Sequence, residues 1–128
     1  MQEEIKNEEK VIEELIIPEK VYASIEDFMK IEIKVGTVLS VSAVEGADKL
    51  YILSVDVGEE KPRQILSGIR EFVSSDDLLN KQFPFVTNLA PRILRGHESQ
   101  GMILAGSDES GLALLNPTKQ LTNGTRLR

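Results

Sequence analysis

Short stretches in which apolar and polar residues alternate set the strongest limit on how this chain can fold. In residues 31–43, the apolar residues Ile31, Ile33 and Val35 are separated by charged ones, and the same phase continues beyond Gly36. A period of two residues is typical of a strand with one face in a core. We therefore expect a long first strand that bends at Gly36 and turns Ile31, Ile33 and Val35 toward the core.

Further segments continue this pattern and are separated by turn residues. Strands are predicted at residues 50–57, 63–69, 83–89, 102–105 and 112–115. Ser74 or Ser75 is expected to cap a short helix after the third strand, with Asp76 and Asp77 near its start. Pro84 has no N–H to donate to a neighbouring strand, which predicts an edge position or a bulge for the fourth strand.

This order of elements matches a five-stranded oligonucleotide-binding (OB) barrel, in which a small helix follows the third strand. Periodicity alone leaves the OB-fold as one all-β option among several. We predict an all-β chain that forms a five-stranded OB-fold barrel, with a short helix between strands three and four and a C-terminal β extension.

The net charge of −6 belongs to one end of the chain. Residues 1–27 hold nine acidic and three basic residues, whereas residues 28–128 hold twelve of each. We expect residues 1–23 to be an acidic leader, disordered or a marginal helix, and residues 24–128 to be the folded domain. For the leader, a solvated tail and a segment that docks on a partner both stay open.

One stretch of the neutral body is locally basic. No acidic residue occurs between Asp77 and Glu98, where the charged residues are Lys81, Arg92 and Arg95. Such a stretch is compatible with nucleic-acid binding but does not require it.

Missing residue types exclude several kinds of chemistry. The absence of cysteine excludes disulfides and thiolate sites, and the single histidine, His97, excludes multi-histidine metal sites. No motif places a nucleophile and a second histidine to form a catalytic relay with His97. No apolar run approaches the roughly 20 residues of a membrane span. We expect a non-catalytic cytoplasmic protein without metal, cofactor or membrane contact.

One motif narrows the choice of function. Residues 88–102 read Asn-Leu-Ala-Pro-Arg-Ile-Leu-Arg-Gly-His-Glu-Ser-Gln-Gly-Met. They resemble the signature of the tRNA-binding domain found in methionyl-tRNA synthetases and in free-standing structure-specific tRNA-binding proteins. Further segments that match this family in order are residues 33–36, 47–51, 55–59, 63–68 and 115–117, followed by Gly124. Ala90 departs from the family, which commonly has a lysine there.

The resemblance implies a non-catalytic module that binds tRNA by its shape and backbone. Such a module assists aminoacylation as the C-terminal domain or beta subunit of methionyl-tRNA synthetase, whose catalytic unit is then a partner. Family members commonly form homodimers, for which Leu112, Leu114, Leu115 and Leu121 are candidate contacts here. The alternative is a protein-interaction module, similar to chaperone-like secretion factors or multisynthetase scaffolds.

Seven residues are expected to contact RNA, chosen from the family signature and from charged positions beside it. They are Lys34, Lys49, Asn88, Arg92, Arg95, Ser99 and Met102. Lys34 lies on the polar phase of the first strand, and Lys49 is expected in the loop between the first two strands. Arginine suits the task because its planar fork grips a phosphate through two bonds or stacks on a base.

Each of these residues also has a purely structural explanation. Arg92 and Arg95 can pair with Glu98 and another surface acid, and Lys49 can pair with Asp48. Asn88 and Ser99 can satisfy backbone groups of their own loop, which is a common use of both residue types. Met102 can belong to the core, and His97 is expected to contact solvent or a phosphate.

Overall fold

The computed structural model describes residues 20–128 of the chain. Residues 20–30 belong to one compact unit and Ile31–Arg128 to another. Most of the expected leader therefore lies outside the described residues, and its boundary after residue 23 stays a prediction. In the first unit, Ser24 caps helix α1 (Ile25–Met29), and its Oγ accepts from the Asp27 N–H at 3.0 Å. Asp27 reciprocates by accepting from the Ser24 N–H, which completes a capping box.

The second unit is all-β, as predicted. Its nine strands are β1 (Ile33–Val44), β2 (Ala47–Asp56), β3 (Arg63–Ser67), β4 (Gln82–Val86), β5 (Arg92–Leu94), β6 (His97–Ser99), β7 (Met102–Ile103), β8 (Ala105–Asp108) and β9 (Gly111–Leu114). Five of them form an antiparallel sheet in the order β3-β2-β1-β4-β7. The pairs β5–β6 and β8–β9 form two separate hairpins.

The predicted short helix between the third and fourth barrel strands is a single 3₁₀ turn, Ser75–Asp77. Leu78, which follows it, is fully buried and so anchors this connection to the core. Neither this turn nor α1 is long and apolar enough to cross a membrane, and the same holds for every helix among residues 20–128.

The two edges of the five-stranded sheet come together, as an OB-type fold requires. The Gln100 N–H donates to the Gln64 carbonyl oxygen at 2.8 Å, and the Gln64 N–H donates to Gln100 Oε1 at 2.9 Å. The segment around Gln100 thereby satisfies the outer edge of β3. Because β3 and β7 are the edge strands, this contact curls the sheet around one core, where Phe83 and Phe85 are fully buried.

The inward face of β1 differs from the prediction in its first half. Gly36 lies directly opposite Phe83, and Lys34 lies directly opposite Phe85. Directly paired residues of antiparallel strands share a face, so Lys34 and Gly36 lie on the side of the core phenylalanines, and Val35 lies on the other side. A Cβ at Gly36 would stand 2.8 Å from methyl groups of Val55 and Val57. The core side chains thus occupy the space that glycine leaves, which simple alternation does not reveal.

Val35 is nevertheless buried, because the C-terminal segment lies along this part of β1. The Val35 N–H donates to the Thr125 carbonyl oxygen at 2.9 Å, and the Gly124 N–H donates to the Val35 carbonyl oxygen at 2.8 Å. Gln82 holds the same segment: its side-chain amide donates to the Leu121 carbonyl oxygen at 2.6 Å and accepts from the Leu121 N–H at 2.9 Å.

The prediction that Pro84 marks an edge strand or a bulge is wrong. β4 lies between β1 and β7, and its pairing with β1 runs through Pro84 without a shift in register. The Pro84 carbonyl oxygen accepts from the Leu104 N–H at 3.1 Å. Since N and O of one residue point to the same side of a strand, the missing N–H of Pro84 faces the end of the short β7 and removes only the return bond to Leu104.

Candidate nucleic-acid interface

The signature segment forms a β-hairpin rather than the expected loop. β5 and β6 pair directly, with Arg92 opposite Ser99 and Leu94 opposite His97. The two residues between the strands, Arg95 and Gly96, have positive φ angles of 52° and 81°. Positive φ at both central residues is characteristic of a type I′ turn, whose twist matches that of the two strands. The turn therefore presents Arg95 at the tip of the hairpin.

The two faces of this hairpin carry different side chains. Arg92 and Ser99 lie on one face, whereas Ile93 and Glu98 lie on the other. Glu98 is therefore on the wrong face to neutralise Arg92. Within residues 20–128, the exposed Arg92 side chain has neither a hydrogen bond nor an ion pair. The alternative in which Arg92 and Arg95 form ion pairs with Glu98 is therefore not observed in the described residues.

A cluster of cations surrounds the turn between β1 and β2. Arg95 donates from Nη1 to the Gly46 carbonyl oxygen, and Arg70 donates from Nη1 to the Ala47 carbonyl oxygen, both at 3.2 Å. The Arg70 backbone N–H donates to the Lys49 carbonyl oxygen, also at 3.2 Å. We call Lys49, Arg70 and Arg95 the turn cations. Uncharged backbone oxygens hold the two arginines, and most guanidinium N–H groups stay available for an anion.

Acidic residues also occur around this turn. Glu45, Asp48 and Glu71 are exposed, but none forms an ion pair with a turn cation in the described part of the chain. The expected pairing of Lys49 with Asp48 is therefore not observed. Lys49 itself lies within β2 rather than in the loop before it, at a point where the register between β1 and β2 shifts.

Ser99 and Asn88 are engaged with the protein itself. Ser99 is 5% exposed; its hydroxyl accepts from the Leu66 N–H at 3.0 Å and donates to the Gly101 carbonyl oxygen at 3.1 Å. Asn88 Oδ1 accepts from the Glu32 N–H at 2.8 Å. Both bonds favour the alternative that these residues satisfy backbone groups and hold the hairpin in place.

A small pocket lies between the hairpin and the loop that precedes it. Its lining brings together three of the predicted residues with mostly aliphatic neighbours, and comprises Arg92, Ser99, Met102, Leu66, Leu89, Ala90 and Gly101. Leu66 and Ser99 are buried and form the floor, whereas Met102 is 45% exposed. Met102 thus belongs to an open wall rather than to the core.

Lys34 is set apart from this pocket and does not line it. Its side chain is 24% exposed, and its Nζ lies 3.7 Å from Glu32 Oε1. The Thr87 hydroxyl donates to the same carboxylate at 2.6 Å. This hydrogen bond, helped by the charges of Lys34 and Arg126, lowers the pKa of Glu32 below its usual range. The structure therefore places Lys34 in an ion-pair network and not beside Arg92.

Arg63 secures both ends of the signature segment, a role the sequence did not suggest. Its Nη1 donates to the carbonyl oxygens of Thr87, directly before the segment, and Gln100, near its end. Its Nε and Nη2 grip the Glu59 carboxylate at 2.8 and 2.7 Å. The hydrogen bonds from Arg63 lower the pKa of Glu59, and the same bonds raise the pKa of Arg63.

Arg70 is the second residue that sequence reasoning missed. It lies outside the acid-free stretch between Asp77 and Glu98, which directed attention to Arg92 and Arg95. Only the fold brings Arg70 to the turn that Arg95 also contacts. The available signal was its place two residues after the family-like segment of residues 63–68.

Comparisons with known proteins agree on one family. The family model described as "Putative tRNA binding domain" matches residues 33–126. Methionine–tRNA ligase 1 of Bacillus cereus is 45% identical over 126 residues, which is 98% of this chain and 18% of that protein. That alignment extends into residues 1–23, the acidic leader.

Two solved structures share the fold. The MetRS related protein from Pyrococcus horikoshii superposes with a TM-score of 0.79 at 32% identity, covering 86% of this chain and 100% of that one. The chaperone CsaA from Bacillus anthracis gives a TM-score of 0.75 at 28% identity, covering 84% and 100%. The chain spans only 14% to 18% of the length of the methionine–tRNA ligases that it matches.

Proposed function

The chain belongs to the tRNA-binding domain family, and from this premise we propose that it is a non-catalytic module that binds tRNA by shape and backbone. It would assist aminoacylation by methionyl-tRNA synthetase, as the C-terminal domain or beta subunit of that enzyme. The observation that carries the proposal is the hairpin, which presents Arg92 without an acidic partner in residues 20–128 and Arg95 at its tip.

The positions of these cations suit a phosphate backbone. Arg92 is exposed beside the pocket, and Arg95 shares the β1–β2 turn with Arg70 and Lys49. Phosphate neutralisation by such side chains supplies most nonspecific affinity for nucleic acids. The guanidinium groups add directed, two-pronged hydrogen bonds to phosphate oxygens. We therefore assign the main RNA contacts to Arg92 and the turn cations, with Asn88 and Ser99 holding the hairpin and Lys34 at the periphery.

The placement of aromatic residues favours a folded RNA over a flexible single strand. Proteins that bind single strands without sequence preference stack successive bases on aromatic side chains. Phe83, Phe85 and Tyr51 are buried in the core here. Phe72 is the one exposed aromatic residue of Ile31–Arg128, and a single ring offers no series of stacking positions. Residues 88–102 contain no phenylalanine, tyrosine or tryptophan. Recognition by shape and backbone is the mode expected for a structured tRNA.

The link to aminoacylation rests on the relatives. The Bacillus cereus protein to which this chain is similar is a methionine–tRNA ligase. The 128 residues contain neither the His-Ile-Gly-His nor the Lys-Met-Ser-Lys-Ser signature of class I synthetases. A module that holds tRNA beside such a catalytic unit raises the effective concentration of the substrate. We place this activity in the cytoplasm.

A homodimer remains part of the proposal, with a smaller candidate surface than the sequence indicated. Leu112 and Leu114 are partly buried against their own core, and Leu121 is held through its backbone by Gln82. Leu115 is 50% exposed. Of the four leucines, Leu115 is therefore the one that a second copy of the chain can cover.

A protein-interaction module is the alternative function. The specific observation in its favour is the likeness to the chaperone CsaA from Bacillus anthracis over 84% of this chain. In this case an unfolded polypeptide, and not tRNA, would occupy the face that carries the hairpin. Binding of this kind would depend little on salt, because it would not release counterions from phosphates.

A gel-shift competition separates the two functions. The protein is titrated into labelled total tRNA and challenged with equal masses of duplex DNA, single-stranded RNA or a reduced, unfolded protein. The proposal expects the complex to persist with each competitor and to dissociate at high salt. Displacement by duplex DNA or single-stranded RNA would remove the claim of tRNA shape recognition. Displacement by the unfolded protein alone would favour the chaperone-like alternative.

A further inference from the structure

We infer that the pocket beside Arg92 receives one unpaired nucleobase of the bound tRNA, an inference that rests on the proposed function. It adds a specific contact to a face that otherwise binds phosphates. The pocket lies on the same side of the hairpin as Arg92, which lines it together with Met102. A nucleotide that contacts both Arg92 and the pocket would place its phosphate at the Arg92 guanidinium and its base inside the pocket.

The lining suits the faces of a base. Leu66 forms an apolar floor, and Leu89 and Met102 are partly exposed side chains that stand open to a ligand. A nucleobase is apolar on its two faces, so aliphatic and thioether groups gain dispersion contacts with it. Ala90 also lines the pocket, and its small side chain leaves the space open.

The loop beside the pocket offers polar groups for the edge of a base. Leu89 and Ala90 are exposed and lie outside any strand, and their backbone N–H and carbonyl groups have no hydrogen-bond partner within residues 20–128. The hydroxyl of Ser99, in contrast, is already used by Leu66 and Gly101. Backbone groups in a loop accept several base identities, which suits a module that binds tRNAs of different sequence.

The size of the pocket limits its occupant to a single ring system. Its volume is about 90 Å³. An apolar cavity of about 150 Å³ takes one benzene ring, so the pocket admits at most one ring, and the rest of the base stays outside it. A base pair or an aromatic stack does not fit, so the inferred ligand is one base that is unpaired in folded tRNA.

Variants of exposed residues test the inference without endangering the core. Leu89→Ala and Met102→Ala remove the walls, and Ala90→Leu fills the pocket, while all cations stay in place. Ile93→Ala is the matched control, because Ile93 is a 69% exposed aliphatic residue on the other face of the same hairpin. We expect each pocket variant to weaken tRNA binding about fivefold, near the lower limit for stacking one base. Ile93→Ala should bind as the wild type does.

The inference is tested directly by asking whether the effect of a pocket variant depends on one particular nucleotide of the tRNA. A set of synthetic tRNAs, each with one abasic position among its unpaired nucleotides, is bound to the wild type and to each pocket variant. We expect one abasic position to weaken wild-type binding about fivefold and to cause no further loss in Leu89→Ala or Ala90→Leu. If every abasic tRNA weakens the wild type and the pocket variants equally, no base enters the pocket and the inference is wrong.

This experiment also separates the inference from the proposed function. A wild-type protein that binds intact tRNA but shows no coupling overturns the pocket alone. A wild-type protein that binds no intact tRNA overturns the proposed function first. If the pocket variants instead lose binding of a reduced, unfolded protein, the pocket belongs to a polypeptide side chain and the nucleobase assignment is wrong.

Discussion

Arg95 donates a hydrogen bond from Nη1 to the backbone carbonyl oxygen of Gly46, 3.2 Å away. This bond ties the tip of the signature hairpin to the turn between β1 and β2. Arg95 makes it from a backbone conformation that residues other than glycine, asparagine and aspartate seldom adopt, with φ of 52°. An arginine at such a position costs backbone energy, which is consistent with a function for its side chain.

Replacing Arg95 with asparagine should separate stability from binding. Asn-Gly is the preferred sequence of a type I′ turn, so Arg95→Asn should raise the free energy of unfolding by up to about 1 kcal/mol, because it relieves left-handed strain. The same variant should bind tRNA several-fold more weakly, because it lacks the cation. Urea unfolding and tRNA titration measure the two effects. Unchanged tRNA affinity in Arg95→Asn would argue against Arg95 as a contact.

Arg63 should contribute to stability by holding both ends of the hairpin segment. Arg63→Met leaves the carbonyl oxygens of Thr87 and Gln100 without their donor, and we expect it to lower the free energy of unfolding by about 2–3 kcal/mol. Arg63→Lys, which keeps the charge but not the fork, should fall between this variant and the wild type. Urea denaturation measures both. Equal stability of Arg63→Lys and wild type would mean that charge alone matters here.

Ser99 should matter for stability more than for RNA contact. Ser99→Ala leaves the buried Leu66 N–H without an acceptor, which is expected to cost about 1–3 kcal/mol. Measured well below the unfolding temperature, its tRNA affinity should change less than twofold. Ser107→Ala is the control, since Ser107 is an exposed serine of β8. A large loss of affinity in a fully folded Ser99→Ala would restore Ser99 as a direct RNA contact.

The order of the elements was predictable from the sequence because it depends on local patterns. Alternation located the first three barrel strands within a few residues. Which residues of β1 lie on the core side of the sheet was not predictable. It depends on Gly36, which presents no side chain to the core, and on Val35, which a distant C-terminal segment buries.

The residues of the candidate site could likewise be predicted only in part. Arg92 and Arg95 could be selected from the family signature, because their positions in sequence are their positions in the hairpin. Arg70 and Arg63 could not, since their importance comes from contacts with residues 23 or more positions away. The prediction from Pro84 was wrong for a related reason. How much strand pairing a missing N–H disrupts depends on how far the neighbouring β7 extends, which only the fold defines.

Acid should weaken the Glu59–Arg63 pair. The pKa of Glu59 is lowered from its usual 4.5, mainly by the hydrogen bonds from Arg63. A depressed carboxyl pKa contributes stability that is fully present above 4.5 and is lost as the pH falls through the lower, folded-state value. The stability advantage of wild type over Glu59→Gln should therefore be largest near neutral pH and shrink below pH 4.5.

Urea unfolding at several pH values measures this difference. Glu60→Gln is the matched control, because Glu60 is an adjacent exposed acid without an ion pair in residues 20–128. We expect Glu60→Gln to follow the wild-type profile. An advantage of wild type over Glu59→Gln that persists unchanged into strong acid would show that the carboxylate charge is not what stabilises the pair.

The salt dependence of tRNA binding tests the central claim most directly. The association constant is measured from low to moderate salt for wild type, for Arg92→Ala with Arg95→Ala, and for Lys81→Ala with Lys119→Ala. The lysine pair also removes two positive charges, but from a different pocket. We predict that the arginine double variant binds several tRNAs equally weakly and that its slope of log K against log salt is flatter by about two. The lysine control should keep the wild-type slope. Wild-type affinity and slope in the arginine double variant would contradict the assignment of the hairpin as the tRNA-binding face.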